Sequence, residues 1–163
     1  MNRIFPTLLL ATVLAACAGA AEIATVTADG KPVVKLTLPA GWSSAASGAK
    51  VVLLPTGGAP HVQVWAIPAA SVAEAEKAVA VLIASEVTEF KAGTASDLTV
   101  AGKPARQVVG TGKEADDGDP SNAEVTVFTV GGKVFLLVAH GEGDGTAKKH
   151  ADLAAVLASA AAP

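Results

Sequence analysis

Val125-Thr126-Val127-Phe128-Thr129-Val130-Gly131-Gly132-Lys133-Val134-Phe135-Leu136-Leu137-Val138-Ala139-His140 is the stretch on which the fold turns. Two β-rich runs meet at Gly131-Gly132, a pair able to supply the positive φ angles that a two-residue hairpin turn demands. Val134 to Val138 is apolar at every position. A strand with one face in water alternates with polar residues, so this one is expected inside a sheet, covered above and below. Burying those five side chains is worth roughly 7–15 kcal/mol at about 1.5–3 each, before the entropy of ordering is subtracted. An interior antiparallel hairpin is thus the predicted centre of the chain, and none of its residues carries an evident chemical role.

Outward from that hairpin, the residues before it read mainly as strands. Ile23 to Thr27 and Pro32 to Leu38 flank the turn signal Asp29-Gly30, with Val34, Leu36 and Leu38 on one face. Leu38-Pro39-Ala40-Gly41-Trp42 ends the second run and returns Trp42 to the core, and Ser43 to Gly48 reads as a loop. Val51 to Leu54 is another apolar strand, followed by the breakers Pro55 to Pro60. In His61-Val62-Gln63-Val64-Trp65-Ala66-Ile67, alternation puts His61, Gln63, Trp65 and Ile67 on one face. Ser71-Val72-Ala73-Glu74 is a capping box, predicting a helix to about Val87 with Ala75, Val79, Leu82 and Ile83 inward and Phe90 pinning its exit. Leu98 to Val100 and Ala105 to Thr111 read as strands, and Glu114 to Asn122 as an exposed acidic loop. After the hairpin comes the loop Gly141 to Gly145, then a helix capped by Thr146 that buries Leu153, Val156 and Leu157, and a tail from Ala160 expected to fray.

Composition narrows the function classes. The 163 residues suit one domain, with 51% hydrophobic and 17% charged residues and a formal charge of −3. No basic stripe suited to phosphate backbones is present, which argues against nucleic acid as a partner. One cysteine, Cys17, excludes a disulfide framework and any Cys-rich zinc site. Met1-Asn2-Arg3 followed by the apolar run Ile4 to Ala16 fits a secretory leader and is too short to span a bilayer comfortably.

The leader's end, Leu14-Ala15-Ala16-Cys17, resembles the bacterial lipobox. That resemblance implies cleavage before Cys17, acylation of its sulfur and new amine, and a membrane as partner through the lipid. Alanine at 18 resembles the pattern of lipoproteins sent to the outer membrane. Ala18-Gly19-Ala20-Ala21 also offers cleavage sites for a soluble periplasmic protein. The expected organisation is a leader over residues 1–21 and a single domain over residues 22–163.

Val33 to Trp42, Val100-Ala101-Gly102-Lys103-Pro104-Ala105, and Phe128 to Val138 with the helix after them resemble the PsbP-like superfamily, which includes DcrB-type bacterial lipoproteins. The resemblance implies an α+β fold, an antiparallel β-sheet with helices packed on both faces in an α/β/α sandwich. It also implies an extracytoplasmic accessory or binding role, with no shared catalytic residues to carry over.

Candidate chemistry is sparse. His61, His140 and His150 match no metal-ligand spacing. Asp116 to Glu124 suggests a calcium loop, but counting from Asp117 the sixth position is Asn122 and the twelfth Phe128, where glycine and glutamate are needed. No G-x-S-x-G and no phosphate loop occur. His61, Gln63 and Trp65 form a possible binding surface if no helix covers them. The expectation is a non-catalytic lipoprotein of the envelope, without cofactor or metal, that engages another protein or a small ligand. The alternative is a metal-dependent or hydrolytic enzyme with a site near His140, Glu142 and Asp144.

Overall fold

The computed structural model describes residues 21–163, so the leader and Cys17 lie outside the described residues. At the Gly131-Gly132 turn φ is 57° and 77°, the left-handed region that glycine enters without a Cβ penalty. The turn joins β8 (Pro120–Val130) to β9 (Lys133–Gly141), in register from Val130↔Lys133 to Asn122↔Gly141. The other edge of β9 pairs with β5 (His61–Ile67), from Ile67↔Val134 to His61↔His140. Both edges of β9 are therefore hydrogen-bonded, and Phe135 to Ala139 are fully buried.

Seven strands run in the order β3-β4-β5-β9-β8-β7-β6, which makes β9 the middle one. The outer members are β3 (Ser43–Ser47), β4 (Lys50–Leu54), β6 (Val87–Val100) and β7 (Lys103–Glu114), and every adjacent pair is antiparallel. Strand accounts for 54% and helix for 17% of the described residues, so this is mostly antiparallel sheet with a few helices.

Alternate residues of β9 enter two different apolar clusters, as the two-residue period of a strand requires. Phe135, Leu137 and Ala139 join Leu53, Val62, Val64 and Phe128. That cluster is closed by Val26, Val34 and Leu36 from a separate hairpin, β1 (Ile23–Ala28) with β2 (Lys31–Thr37), and by Leu153, Val156 and Leu157 of the last helix. Val134, Leu136 and Val138 join Trp65, Ile67, Val125 and Val127, with Ala75, Val79 and Ile83 against them. These come from α1 (Val72–Lys77), α2 (Val79–Leu82) and the residue just beyond it. Trp42, 4% exposed, returns to the first cluster as its position after the L-P-x-G turn suggests.

Several local expectations are corrected. Ser43–Ser47 is an edge strand rather than a loop; its serines and alanines pair backbone to backbone with β4 while burying almost nothing. The Ser71 cap forms as read, its Oγ accepting from Glu74 N–H at 3.1 Å, and Glu74 reaches back to Ala70 N–H. The helix it starts is not continuous to Val87. It closes at Ala78, whose N–H tightens onto Ala75 C=O, and α2 ends at Leu82. Val87 to Val100 is one long edge strand instead of a helix end and a short strand. The acidic loop is shorter than expected, since β7 runs to Glu114 and β8 begins at Pro120. The last helix, α3 (Gly145–Ala158), has Asp144 at its N-cap, and Thr146 lies inside it with a buried hydroxyl lacking a partner. Its tail is held: Lys35 and Ala161 exchange both backbone hydrogen bonds, at 2.9 and 3.1 Å.

Candidate functional site

On the sheet face that carries Trp65, the residues turn polar toward one end of the central strands. β5 contributes His61 and Gln63, β9 contributes His140, and β7 ends there with Glu114. After α2 the chain folds back on itself, Glu86 and Val87 N–H both donating to Ile83 C=O at 2.8 and 2.9 Å. Glu86 C=O then accepts from Ala115 N–H at 2.9 Å, tying this segment to the end of β7. Ser85 and Glu86 are thereby brought against the polar end of the sheet. With His61, Gln63, Glu114, Ala115, Asp116 and His140 they line a cavity of about 220 Å³.

His140 is the centre of this site and is 4% exposed. Its Nδ1 lies 2.8 Å from Glu114 Oε2. An ionised carboxylate only accepts, so Nδ1 carries the proton and donates it. The other Glu114 oxygen accepts from Ser121 Oγ at 2.7 Å, and Ser121 Oγ in turn accepts from Gly141 N–H at 3.1 Å. This chain fixes the imidazole's orientation. Its Nε2 is buried without a partner, 3.7 Å from Glu86 Oε2. The exposed His61 ring stacks on His140 with centroids 5.5 Å apart, as their paired positions on β5 and β9 dictate.

Glu86 is held from three sides: Lys50 and Ser85 donate to Oε1, and Gln63 donates to Oε2. Burial works to raise its pKa, but these hydrogen bonds and the Lys50 charge outweigh that and leave it below the ordinary carboxylate value. Lys50 Nζ also lies 3.0 Å from Ser85 Oγ and 4.5 Å from the Trp65 ring centroid, a distance at which the ammonium is attracted to the indole face.

The residues named from sequence are thus partly gathered. His61 and Gln63 border the cavity, whereas Trp65, 8% exposed, packs in the second core cluster and offers no exposed aromatic patch. His140 faces Glu114 and Glu86 rather than Glu142 and Asp144, both exposed. Glu142 is hydrogen-bonded to Asp119, which raises its pKa, and Asp144 pairs with Lys148 at 2.8 Å. His150 is elsewhere, on α3, with Nδ1 2.8 Å from buried Glu124. Among the described residues no group of three or more His, Asp or Glu side chains is arranged to hold a metal. Sequence reasoning missed Lys50, Glu86, Glu114 and Ser121. The one signal pointing to them is β5 itself, whose second face begins polar with His61 and Gln63 and ends apolar with Trp65 and Ile67.

No protein-family model and no curated protein matches the chain. Solved structures do. The cyanobacterial PsbP protein CyanoP from Synechocystis sp. PCC 6803 aligns at a TM-score of 0.57 and 15% identity, covering 90% of this chain and 96% of that one. LpqN of Mycobacterium tuberculosis, described as involved in cell envelope biogenesis, aligns at 0.56 and 17% identity, covering 88% and 92%. A Pseudomonas aeruginosa protein of unknown function, described as a putative regulator, aligns at 0.50 and 12%, covering 83% and 94%. The chain has a PsbP-like fold.

Proposed function

We propose that this protein is a non-catalytic accessory or binding lipoprotein of the bacterial envelope, exported and anchored through lipid on Cys17, whose domain engages another protein or a small ligand. In this reading the layers form an α/β/α sandwich of the PsbP-like and DcrB-like kind, with α1 and α2 on one face and α3 beside the β1–β2 hairpin on the other. The observation that carries the binding role is the cavity beside His140, a polar recess in which no hydroxyl lies within hydrogen-bond reach of the free imidazole nitrogen Nε2. Ser85 is the only hydroxyl lining that cavity, and the amine beside it is ion-paired with Glu86. A serine–lysine pair acts as nucleophile and base only with a neutral amine, so this arrangement favours binding over hydrolysis. LpqN, with its described part in envelope biogenesis, supports an extracytoplasmic setting. No helix among the described residues is long and apolar enough to cross a membrane.

Palmitate labelling of cells expressing the full chain tests the anchor. Label should enter the wild type and be absent from Cys17→Ala, and the wild type should fractionate with outer membranes. Absent label, or unchanged label in the variant, would overturn the lipoprotein assignment.

A further inference from the structure

Within the binding reading just given, we infer that the cavity beside His140 takes a small organic cation bearing N–H donors, a primary ammonium being the fitting class. In its neutral form the His140 ring donates Nδ1–H to Glu114 and presents a lone pair at Nε2. That nitrogen is buried and unpartnered, and the group facing it across 3.7 Å is a second acceptor, Glu86 Oε2. Buried polar atoms in native proteins nearly always find a partner. With the ring neutral, two acceptors face each other and call for a donor that neither the imidazole Nε2 nor the carboxylate supplies.

Charge selects the kind of donor. Three carboxylates, Glu86, Glu114 and Asp116, line the cavity, and Lys50 already pairs with Glu86. The surplus is negative and two of those carboxylates are mostly buried, with side chains 12% and 11% exposed. An anion would add repulsion in a partly desolvated site, whereas an ammonium complements the charge while its three N–H groups answer the acceptors. Size limits the remainder of the molecule: about 220 Å³ lies below the roughly 300–1,000 Å³ of sites for drug-sized ligands. A metal ion is a poorer fit, because among the described residues no group of three or more His, Asp or Glu side chains is arranged to hold one.

The test is a titration of ¹⁵N-labelled full-length protein at neutral pH, following the His140 Nε2 resonance. Methylammonium and ethanolamine are the probes, and tetramethylammonium, a cation without N–H, is the control. Both amines should move Nε2 saturably and tetramethylammonium should not. Glu86→Gln should weaken ethanolamine binding about tenfold, the equivalent of ~1.4 kcal/mol. Asp116→Asn, at an exposed position that folding does not need, should weaken it about two- to threefold. No saturable shift with either amine, or an equal shift with tetramethylammonium, would overturn the inference. So would a His140 found doubly protonated at neutral pH, since a proton would then already bridge the two acceptors. None of these results bears on palmitate labelling, so the anchor and the ligand fail separately.

Discussion

Replacing Glu114 by alanine should destabilise the protein by about 2–4 kcal/mol, far more than a strand-end carboxylate would suggest. The side chain is 11% exposed and accepts from both His140 Nδ1–H and Ser121 Oγ–H. Those two residues are each 4% exposed, so water cannot readily replace the lost acceptor. A buried donor left unpaired costs about 1–3 kcal/mol. His140 would bear the upper part of that range because its ring is locked by strand pairing and by His61. Ser121 would bear the lower part, because its hydroxyl can lean on Asn122 C=O, 3.4 Å away. Urea unfolding followed by fluorescence of the buried Trp42 and Trp65 reads the change. With an m-value of about 2 kcal/mol/M, mid-range for a small protein in urea, the midpoint should fall by roughly 1–2 M. Glu114→Gln keeps an acceptor for the imidazole and should lose less. Glu114→Ala combined with His140→Ala should be less unstable than the sum of the single variants, since the orphaned donor is gone. A Glu114→Ala protein within about 0.5 kcal/mol of wild type would refute the reasoning, showing that the imidazole does not depend on that carboxylate.

Three further outcomes are expected. Gly110→Ala should cost about 1–3 kcal/mol by overpacking, because a Cβ there would lie 2.4 Å from Lys91 C=O and 2.6 Å from the Phe90 ring; thermal unfolding checks it. Glu86→Gln should lower stability at neutral pH. Since the folded-state pKa of Glu86 lies below its ordinary value, its contribution is present above about pH 4.3 and lost as pH falls through the folded pKa, so wild type and variant should converge in acid urea melts. Glu142 behaves oppositely: the bond to Asp119 raises its pKa, so wild type gains stability as pH falls through that raised value. Glu142→Gln should therefore raise Tm at neutral pH, with the gap closing toward about pH 4 in a series of melts.

The centre of the fold was legible because it rests on composition that has few structural solutions. An unbroken apolar run after Gly-Gly, as in Val134 to Val138, has to be an interior strand, and it is the middle one of seven. The edges were not legible. Ser43 to Ser47 and Lys91 to Ser96 hold small or polar residues that bury little, so neither alternation nor an apolar run marks them, and only pairing with a neighbour makes them strands. Gly110 and Gly112 were the missed clue on that side, since their bare faces let Phe90 and Val87 of β6 approach β7. For the candidate site, His61 and Gln63 could be placed on one face from the alternation of β5. Their meeting with Glu86 and Glu114 depends on the fold-back after α2 and on a β7 longer than its apolar residues imply, and no local pattern announces either.

Hydrogen exchange of the backbone amides tests the central placement most directly. With both edges of β9 paired and both faces covered, the amides of Phe135 to Val138 should open only with global unfolding and exchange slowest in the chain. Those of Ser43 to Ser47 and Lys91 to Ser96, on strands with one free edge, should exchange far sooner. Amides of Phe135 to Val138 exchanging as fast as those edge strands would contradict the account, and with it the buried setting assigned to His140 at the end of the same strand.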